Sequence, residues 1–171
     1  VGGDSLKVAV TAGTGAALRV YPQAAAKIYR SLGPDSRIEV VLKAEGGSWL
    51  EWLPQETILF EGARLRRDTC IEMDPQARVL AGEFLVFGRR ASGETLSRGL
   101  IHDAWRVTRG GSLAWADALH LAGDLAAPAT DPKRLVGDRR EGHLVVGVAR
   151  VVVLRLGVPV PARAPGEARS A

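Results

Sequence analysis

The sequence predicts a mainly β protein. Most of the chain alternates apolar and polar residues with the period of two that is typical of half-buried strands. Turns rich in glycine, proline, aspartate and serine separate these segments every 8–12 residues or so. About nine or ten short strands of this kind fit a sandwich, a barrel or a stacked-sheet solenoid. No period of about 20–50 residues is visible, which argues against a regular repeat protein.

The first third of the chain contains three predicted strands. Residues 6–10 and 18–21 alternate, and residues 11–15 between them are predicted to form a hairpin connection. Those turn residues include a Gly-x-Gly pattern, but no lysine of a phosphate-binding loop follows. Residues 24–31 are alanine-rich and leave helix and strand both open. Residues 37–43 form the clearest alternating strand in the sequence.

Residues 48–60 are the most aromatic stretch and contain Trp49 and Trp52. Pro54 interrupts the stretch, so it cannot be one continuous helix or one central strand. We therefore expect two short segments joined by a bend.

The second half of the chain is predicted to contain further strands and one short helix. The helix is expected from Asp74 to Glu83, because Asp74 can cap it and Pro75 suits its first position. The strands expected here are 63–73, 100–107, 113–121 and 144–156, with a hairpin turn at 109–112.

We expect a single domain over residues 1–157 and a disordered tail rich in proline, alanine and arginine over residues 158–171. Cys70 is the only cysteine, so no intrachain disulfide can form and a reducing, cytoplasmic location is expected. The chain has no long apolar run of membrane-spanning length and no visible signal peptide. The formal net charge is +4, with arginines spread along the chain, which does not favour a nucleic-acid-binding protein.

No catalytic group of residues is apparent, and we predict that the protein is not an enzyme. None of the three histidines lies in a nucleophile motif, and Cys70 is expected to be a small buried thiol. His102 and His120 have no spacing that indicates a metal site. An alternative function is a carbohydrate-binding or carbohydrate-active domain, in which aromatic platforms and carboxylates would be supplied by Trp49, Glu51, Trp52 and Glu56.

Several ordered blocks resemble the urease accessory protein D family, UreD, which is called UreH in some organisms. The blocks are Gly2-Gly3-Asp4, Ala26 to Ser31, Leu50 to Ile58, Gly88 to Glu94, and Leu113 to Asp117. The resemblance implies a non-enzymatic maturation factor that helps deliver nickel to the urease apoprotein. The implied partners are an accessory protein F, a GTPase called protein G and urease itself. It implies no tightly bound cofactor, only transient nickel.

The family fold implied by this resemblance is a helical stack of β-sheets with one or two short helices. A water-filled passage for nickel is proposed for the family, and polar residues of the matching blocks would suit it or a partner surface. These residues are Lys27, Tyr29, Arg30, Gln55, Glu56, Glu83, Arg89, Glu94 and Asp117. No nickel ligand is assigned. Trp49, Leu50, Trp52 and Ile58 are expected in the core.

The chain departs from the family pattern in three places. Family members extend further on the N-terminal side of the Gly-Gly-Asp block, so their first strands are expected to be missing here. Tyr21 and Pro22 stand where the family usually has two threonines. Beyond Gly123 the match fades.

Overall fold

The computed structural model describes residues 2–88, 93–94 and 96–125, together with the backbone of residues 147–154. Within these residues the protein has eleven strands and no helix, which confirms the mainly β prediction. The strands are β1 (Ser5–Ala12), β2 (Ala17–Val20), β3 (Ala26–Ile28), β4 (Ser36–Ala44), β5 (Trp49–Trp52), β6 (Thr57–Leu59), β7 (Arg64–Met73), β8 (Arg78–Phe87), β9 (Arg98–Arg109), β10 (Ser112–Asp124) and β11 (Gly147–Leu154).

The strands form two facing sheets that are stacked in the manner of a β-solenoid. One sheet has the order β1-β4-β7-β9-β10, and the other has the order β2-β5-β8-β6-β3, with β11 also paired to β8. The chain passes from one sheet to the other and back, so strands from successive turns pair in parallel. The two antiparallel pairs among the described strands are β9 with β10 and β8 with β11.

Each turn of the stack has a similar length although the sequence shows no repeat. Ser5 pairs with Arg37, Ser36 with Leu65 and Arg64 with Leu100, which places equivalent residues 32, 29 and 36 positions apart. The spacing differs from turn to turn, so the stack has no regular repeat. The predicted hairpin at residues 11–15 was wrong, because β1 and β2 belong to different sheets and are not paired.

Pro54 marks the expected bend, and β5 and β6 lie on either side of it. Both strands pair with β8, β5 at Arg78–Ala81 and β6 at Leu85–Phe87. Together β5 and β6 therefore act as one strand broken in the middle. The same break recurs one turn earlier between β2 and β3. Within the ambiguous segment 24–31, Ala26–Ile28 therefore form a strand.

The predicted helix from Asp74 to Glu83 is absent, because β8 begins at Arg78. Asp74 instead accepts a hydrogen bond from the backbone N–H of Gln76 at 2.8 Å, so its capping chemistry closes a turn. Along β8, Val79, Ala81, Leu85 and Phe87 are buried, whereas Phe84 is 53% exposed. Pairing with strands on both sides thus imposes a period of two on a segment that also fits a helical period.

The hairpin predicted around Arg109–Ser112 is confirmed, since Ser112 pairs with Arg109 across Gly110 and Gly111. Both glycines have positive φ, which this two-residue turn requires. The predicted final strand is confirmed as β11, and the predicted tail at 158–171 lies outside the described residues. Among the described residues, no helix has the length and apolar character needed to cross a membrane.

Two apolar clusters fill the space between the sheets. One contains Leu42, Leu50, Trp52 and Ile71, and the other contains Leu59, Leu65, Leu85 and Ile101. Along β7, β8 and β9, the inward positions between these two clusters carry buried charged residues instead. A polar layer therefore divides the core.

Candidate functional site

The polar layer is built from Arg67, Glu83, Asp103 and Thr57, all of which are buried. Arg67 donates from Nε to Asp103 Oδ2 at 3.1 Å and from Nη1 to Thr57 Oγ1 at 3.1 Å. Its Nη2 also pairs with Glu83 Oε2 and with Asp103 Oδ2. One guanidinium thus connects side chains from both sheets.

The strand register explains why these side chains meet. Arg67 of β7 and Asp103 of β9 are direct partners in the parallel ladder, so they point to the same face of one sheet. Glu83 of β8 and Thr57 of β6 reach the guanidinium from the opposite sheet. Although burial acts to lower the pKa of Arg67, the charges of Glu83 and Asp103 outweigh it and raise that pKa.

Among the predicted site residues that the structure describes, Glu83 is the one that lies in this layer. Arg67, Asp103 and Thr57 were not predicted. A signal for Arg67 is present in the sequence, because it stands at an inward position between Leu65 and Thr69 on an alternating strand. Asp103 likewise stands between Ile101 and Trp105. Their meeting depends on the register between strands, which the sequence pattern does not give.

Lys27, Tyr29 and Arg30 lie together at a corner of the stack and are exposed. The Tyr29 ring packs on Phe60 with centroids 4.6 Å apart. Arg30 forms an isolated bridge with Ala63, and its side chain covers Gly62 closely enough that a Cβ there would lie 2.9 Å from Arg30 Cγ. These three predicted residues therefore form an outward-facing surface and not an interior lining.

Glu94 lies near this corner and accepts a hydrogen bond from the backbone N–H of Glu61 at 3.3 Å. The carboxylate of Glu61 accepts bonds from the backbone N–H and the hydroxyl of Ser97 at 2.5 and 2.7 Å. Burial acts to raise the pKa of Glu61, but these bonds from Ser97 and one from the Arg98 N–H together lower it. The hydrogen bonds of Glu61 and Glu94 therefore hold the segment before β9 against the corner where Tyr29 and Arg30 lie.

The other predicted site residues that have a described position lie apart from the polar layer. Gln55 is exposed and Glu56 is half-buried, both in the bend between β5 and β6. Asp117 is exposed on β10, where it pairs in register with Trp105. Arg89 lies outside the described residues. The structure therefore does not bring the eight predicted residues that it describes into one site.

The residues of the carbohydrate alternative do not share a groove. Leu50 and Trp52 belong to an apolar cluster of the core. Trp49 and Glu51 alternate with them on the other face of the same strand, where Trp49 is half-buried and Glu51 is buried. Trp49 and Ile58 are half-buried and belong to neither apolar cluster, so the expectation of a core position was wrong for both. Glu51 accepts a bond from Trp49 Nε1 at 2.7 Å and pairs with Arg19. Hydrogen bonds from Arg19 and Trp49 lower the pKa of the Glu51 carboxyl.

Cys70 is half-buried on the outer face of β7, so the expectation of a buried thiol was not met. In the described part of the chain, no three side chains of histidine, cysteine, aspartate or glutamate form a metal-binding group.

Comparison with known proteins identifies relatives along most of the chain. The family described as "UreD urease accessory protein" matches residues 1–158. The chain is 51% identical over 137 residues to the urease accessory protein UreD of Magnetococcus marinus, covering 80% of this chain and 47% of that protein. It is 47% identical over 143 residues to the protein of the same name from Methylobacterium sp. strain 4-46, covering 84% and 51%. The chain spans about half the length of these curated relatives.

Proposed function

The chain belongs to the UreD urease accessory protein family, and from this premise we propose that it acts as a urease maturation factor. The observation that carries the proposal is the family match over residues 1–158. In this proposal the protein is a non-catalytic scaffold that assists nickel delivery to apo-urease. Its partners are the accessory protein F and the GTPase protein G, and its location is the cytoplasm.

The polar layer supports a role for the interior of the stack. Buried charges are costly unless they are paired, and Arg67, Glu83 and Asp103 stand where apolar residues would fill the space at lower cost. Glu83 is also one of the residues that the family resemblance suggests for a nickel passage. We propose that Glu83 contributes to such a passage, with Arg67 holding its carboxylate.

The exposed corner supports a role in partner binding. Tyr29 is 48% exposed and Leu32, three residues further on, is 91% exposed. Aromatic and arginine side chains at an exposed surface are typical of residues that anchor protein interfaces. We propose that Lys27, Tyr29 and Arg30 contact another member of the maturation complex.

Complementation tests the proposed function. The protein in full-length form, expressed in a urease-positive bacterium that lacks its own copy, is expected to restore urease activity and to co-purify with proteins F and G and apo-urease. Soluble protein that gives neither activity nor co-purification would refute the maturation role.

Substitutions separate the interior from the surface. Glu83→Gln keeps the volume of the side chain and removes its charge, so it is expected to lower urease activation and the nickel content of urease several-fold. Glu72→Gln is the matched control, because Glu72 lies outward and pairs only with Lys43 among the ion pairs described here, at 3.1 Å. Equal activation by the Glu83 and Glu72 variants would exclude the proposed passage role of Glu83.

Glu56→Ala and Arg89→Ala are expected to lower urease activation more than they lower the stability of the fold.

A further inference from the structure

Two histidines that are 18 positions apart in the sequence lie side by side on the outer face of the five-stranded sheet. His102 of β9 and His120 of β10 are direct partners in the antiparallel ladder. Their Nδ1 atoms are 3.3 Å apart, and their rings meet edge to face at 65° with centroids 5.5 Å apart. The adjacent residues Ile101, Asp103 and Leu121 point inward and are buried, so the two imidazoles share the opposite, solvent-facing side.

From this geometry we propose that His102 and His120 form a two-imidazole site for a divalent transition-metal ion of the Ni²⁺, Zn²⁺ and Cu²⁺ class. Neutral imidazole nitrogen is a preferred ligand for these ions. Metal–nitrogen distances of about 2.0–2.1 Å in tetrahedral geometry place two ligand nitrogens about 3.3 Å apart. The Nδ1 atoms are 3.3 Å apart, a distance at which the two rings share a hydrogen bond. The same separation matches the value for two nitrogens that bind one metal ion.

The neighbouring residues leave room for the other ligands of the ion. Ala104 and Ala118 are paired in register two positions along the two strands, on the same outer face. Their small side chains leave space above the rings for metal-bound water or for a side chain of a partner protein. Two protein ligands with open positions are typical of an exchangeable site and not of a closed structural one.

A nearby positive charge limits the affinity of the histidine pair for a metal ion. Arg66 of β7 is the register neighbour of His102, and a guanidinium repels a bound cation. Arg66 donates from Nε to Asp35 Oδ2 at 2.6 Å, and Arg64 donates to the other oxygen of the same carboxylate at 2.7 Å. These hydrogen bonds hold the Arg66 charge next to the Asp35 carboxylate, which reduces its repulsion of a cation bound at the histidines. We therefore expect reversible binding that a chelator can remove.

The site is argued from geometry alone and does not depend on the maturation role. Metal binding by the purified chain and urease activation in cells are separate measurements, so one can fail while the other succeeds.

Calorimetric titration of the full chain with Ni²⁺ and with Zn²⁺ tests the site. His102→Ala and His120→Ala are each expected to weaken binding of both ions by about tenfold or more. His143→Ala, which removes the third histidine of the chain, is the matched control and is expected to bind as the unmodified protein does. Mg²⁺, which prefers oxygen ligands, is expected not to bind at this pair.

A second measurement uses the unmodified protein and so does not depend on whether the variants fold. Ni²⁺ is paramagnetic and broadens the NMR signals of its ligands first. Small additions of Ni²⁺ are expected to broaden the ring signals of His102 and His120 before that of His143. The proposal is overturned if all three rings broaden together, or if both alanine variants fold and retain unmodified affinity.

Discussion

At the residue scale, the contribution of each buried charged side chain to stability depends on the presence of its charged partners. Arg67 is 6% exposed, Glu83 2% and Asp103 0%. Their attraction compensates for the loss of water only while all of them are present. Each of these residues is therefore more sensitive to substitution than its apolar neighbours of similar burial.

Arg67→Ala is expected to lower the free energy of unfolding by about 3–5 kcal/mol, because it leaves two carboxylates buried without their guanidinium. The control is Arg66→Ala on the same strand. Arg66 is partly exposed and shares Asp35 with Arg64, so its loss is expected to cost about 1 kcal/mol or less. Urea unfolding of both variants gives the comparison.

A third variant checks the physical reason. Replacing Arg67, Glu83 and Asp103 together by apolar residues of similar volume is expected to return stability to the original value or above it. If Arg67→Ala lowers the free energy of unfolding by no more than Arg66→Ala does, the paired charges of the polar layer do not stabilise the fold in the way proposed.

Glu61 gives a pH-dependent contribution to stability. Hydrogen bonds from Ser97 and Arg98 hold its pKa below the usual range in the folded state. Its contribution is therefore complete above the unfolded-state pKa of about 4.3 and is lost as the pH falls through the lower folded-state pKa. Glu61→Gln is expected to cost about 1 kcal/mol at pH 7 and nothing once the carboxyl is protonated in both states.

Unfolding curves for Glu61→Gln between pH 7 and pH 2 measure this difference. Glu39→Gln serves as the control, since Glu39 is half exposed and pairs with Lys7 at the surface. A constant difference between Glu61→Gln and the original protein across the whole pH range would contradict the assignment.

At the scale of the elements, β8 shows where local pattern and tertiary pairing disagree. Ala77, Leu80, Ala81 and Phe84 fit one face of a helix, and Asp74 with Pro75 fits a helix start. In the structure β8 pairs with β5 and β6 on one side and β11 on the other. These ladders satisfy its backbone groups and bury alternate residues, which outweighs a weak helical preference.

The break at Pro54 is an element that the sequence does predict. Proline has no N–H for the ladder and so cannot continue a central strand. Because of this interruption, β5 pairs with β2 and β6 pairs with β3 in two separate short parallel ladders. The aromatic stretch therefore contributes to both apolar clusters, with Leu50 in one and Leu59 in the other.

At the scale of the whole molecule, the stack is expected to be most rigid at its centre. β7 is paired on both sides and β8 has three paired neighbours, whereas among the described strands β1 pairs only with β4 and β10 only with β9. Strand edges and exposed ladders open most easily. Amide hydrogens of β7 and β8 are therefore expected to exchange slowest, and those of β1 and β10 fastest.

Hydrogen exchange followed by mass spectrometry measures this order. Residues Leu65, Ile71, Val79 and Leu85 are suitable reporters, since all are at most 1% exposed. Equal protection of β1 and β7 would contradict a stack whose stability is concentrated in its central turns.

The sequence by itself determined the strand-rich character, the clear strand at 37–43, the Gly110-Gly111 hairpin and the bend at Pro54. Each depends on alternation or on the fixed backbone preferences of glycine and proline, which act over a few residues. Its family blocks likewise pointed to the UreD family. Only the tertiary structure decided that Arg67, Glu83 and Asp103 form one layer and that His102 faces His120, because register between distant strands sets which side chains meet.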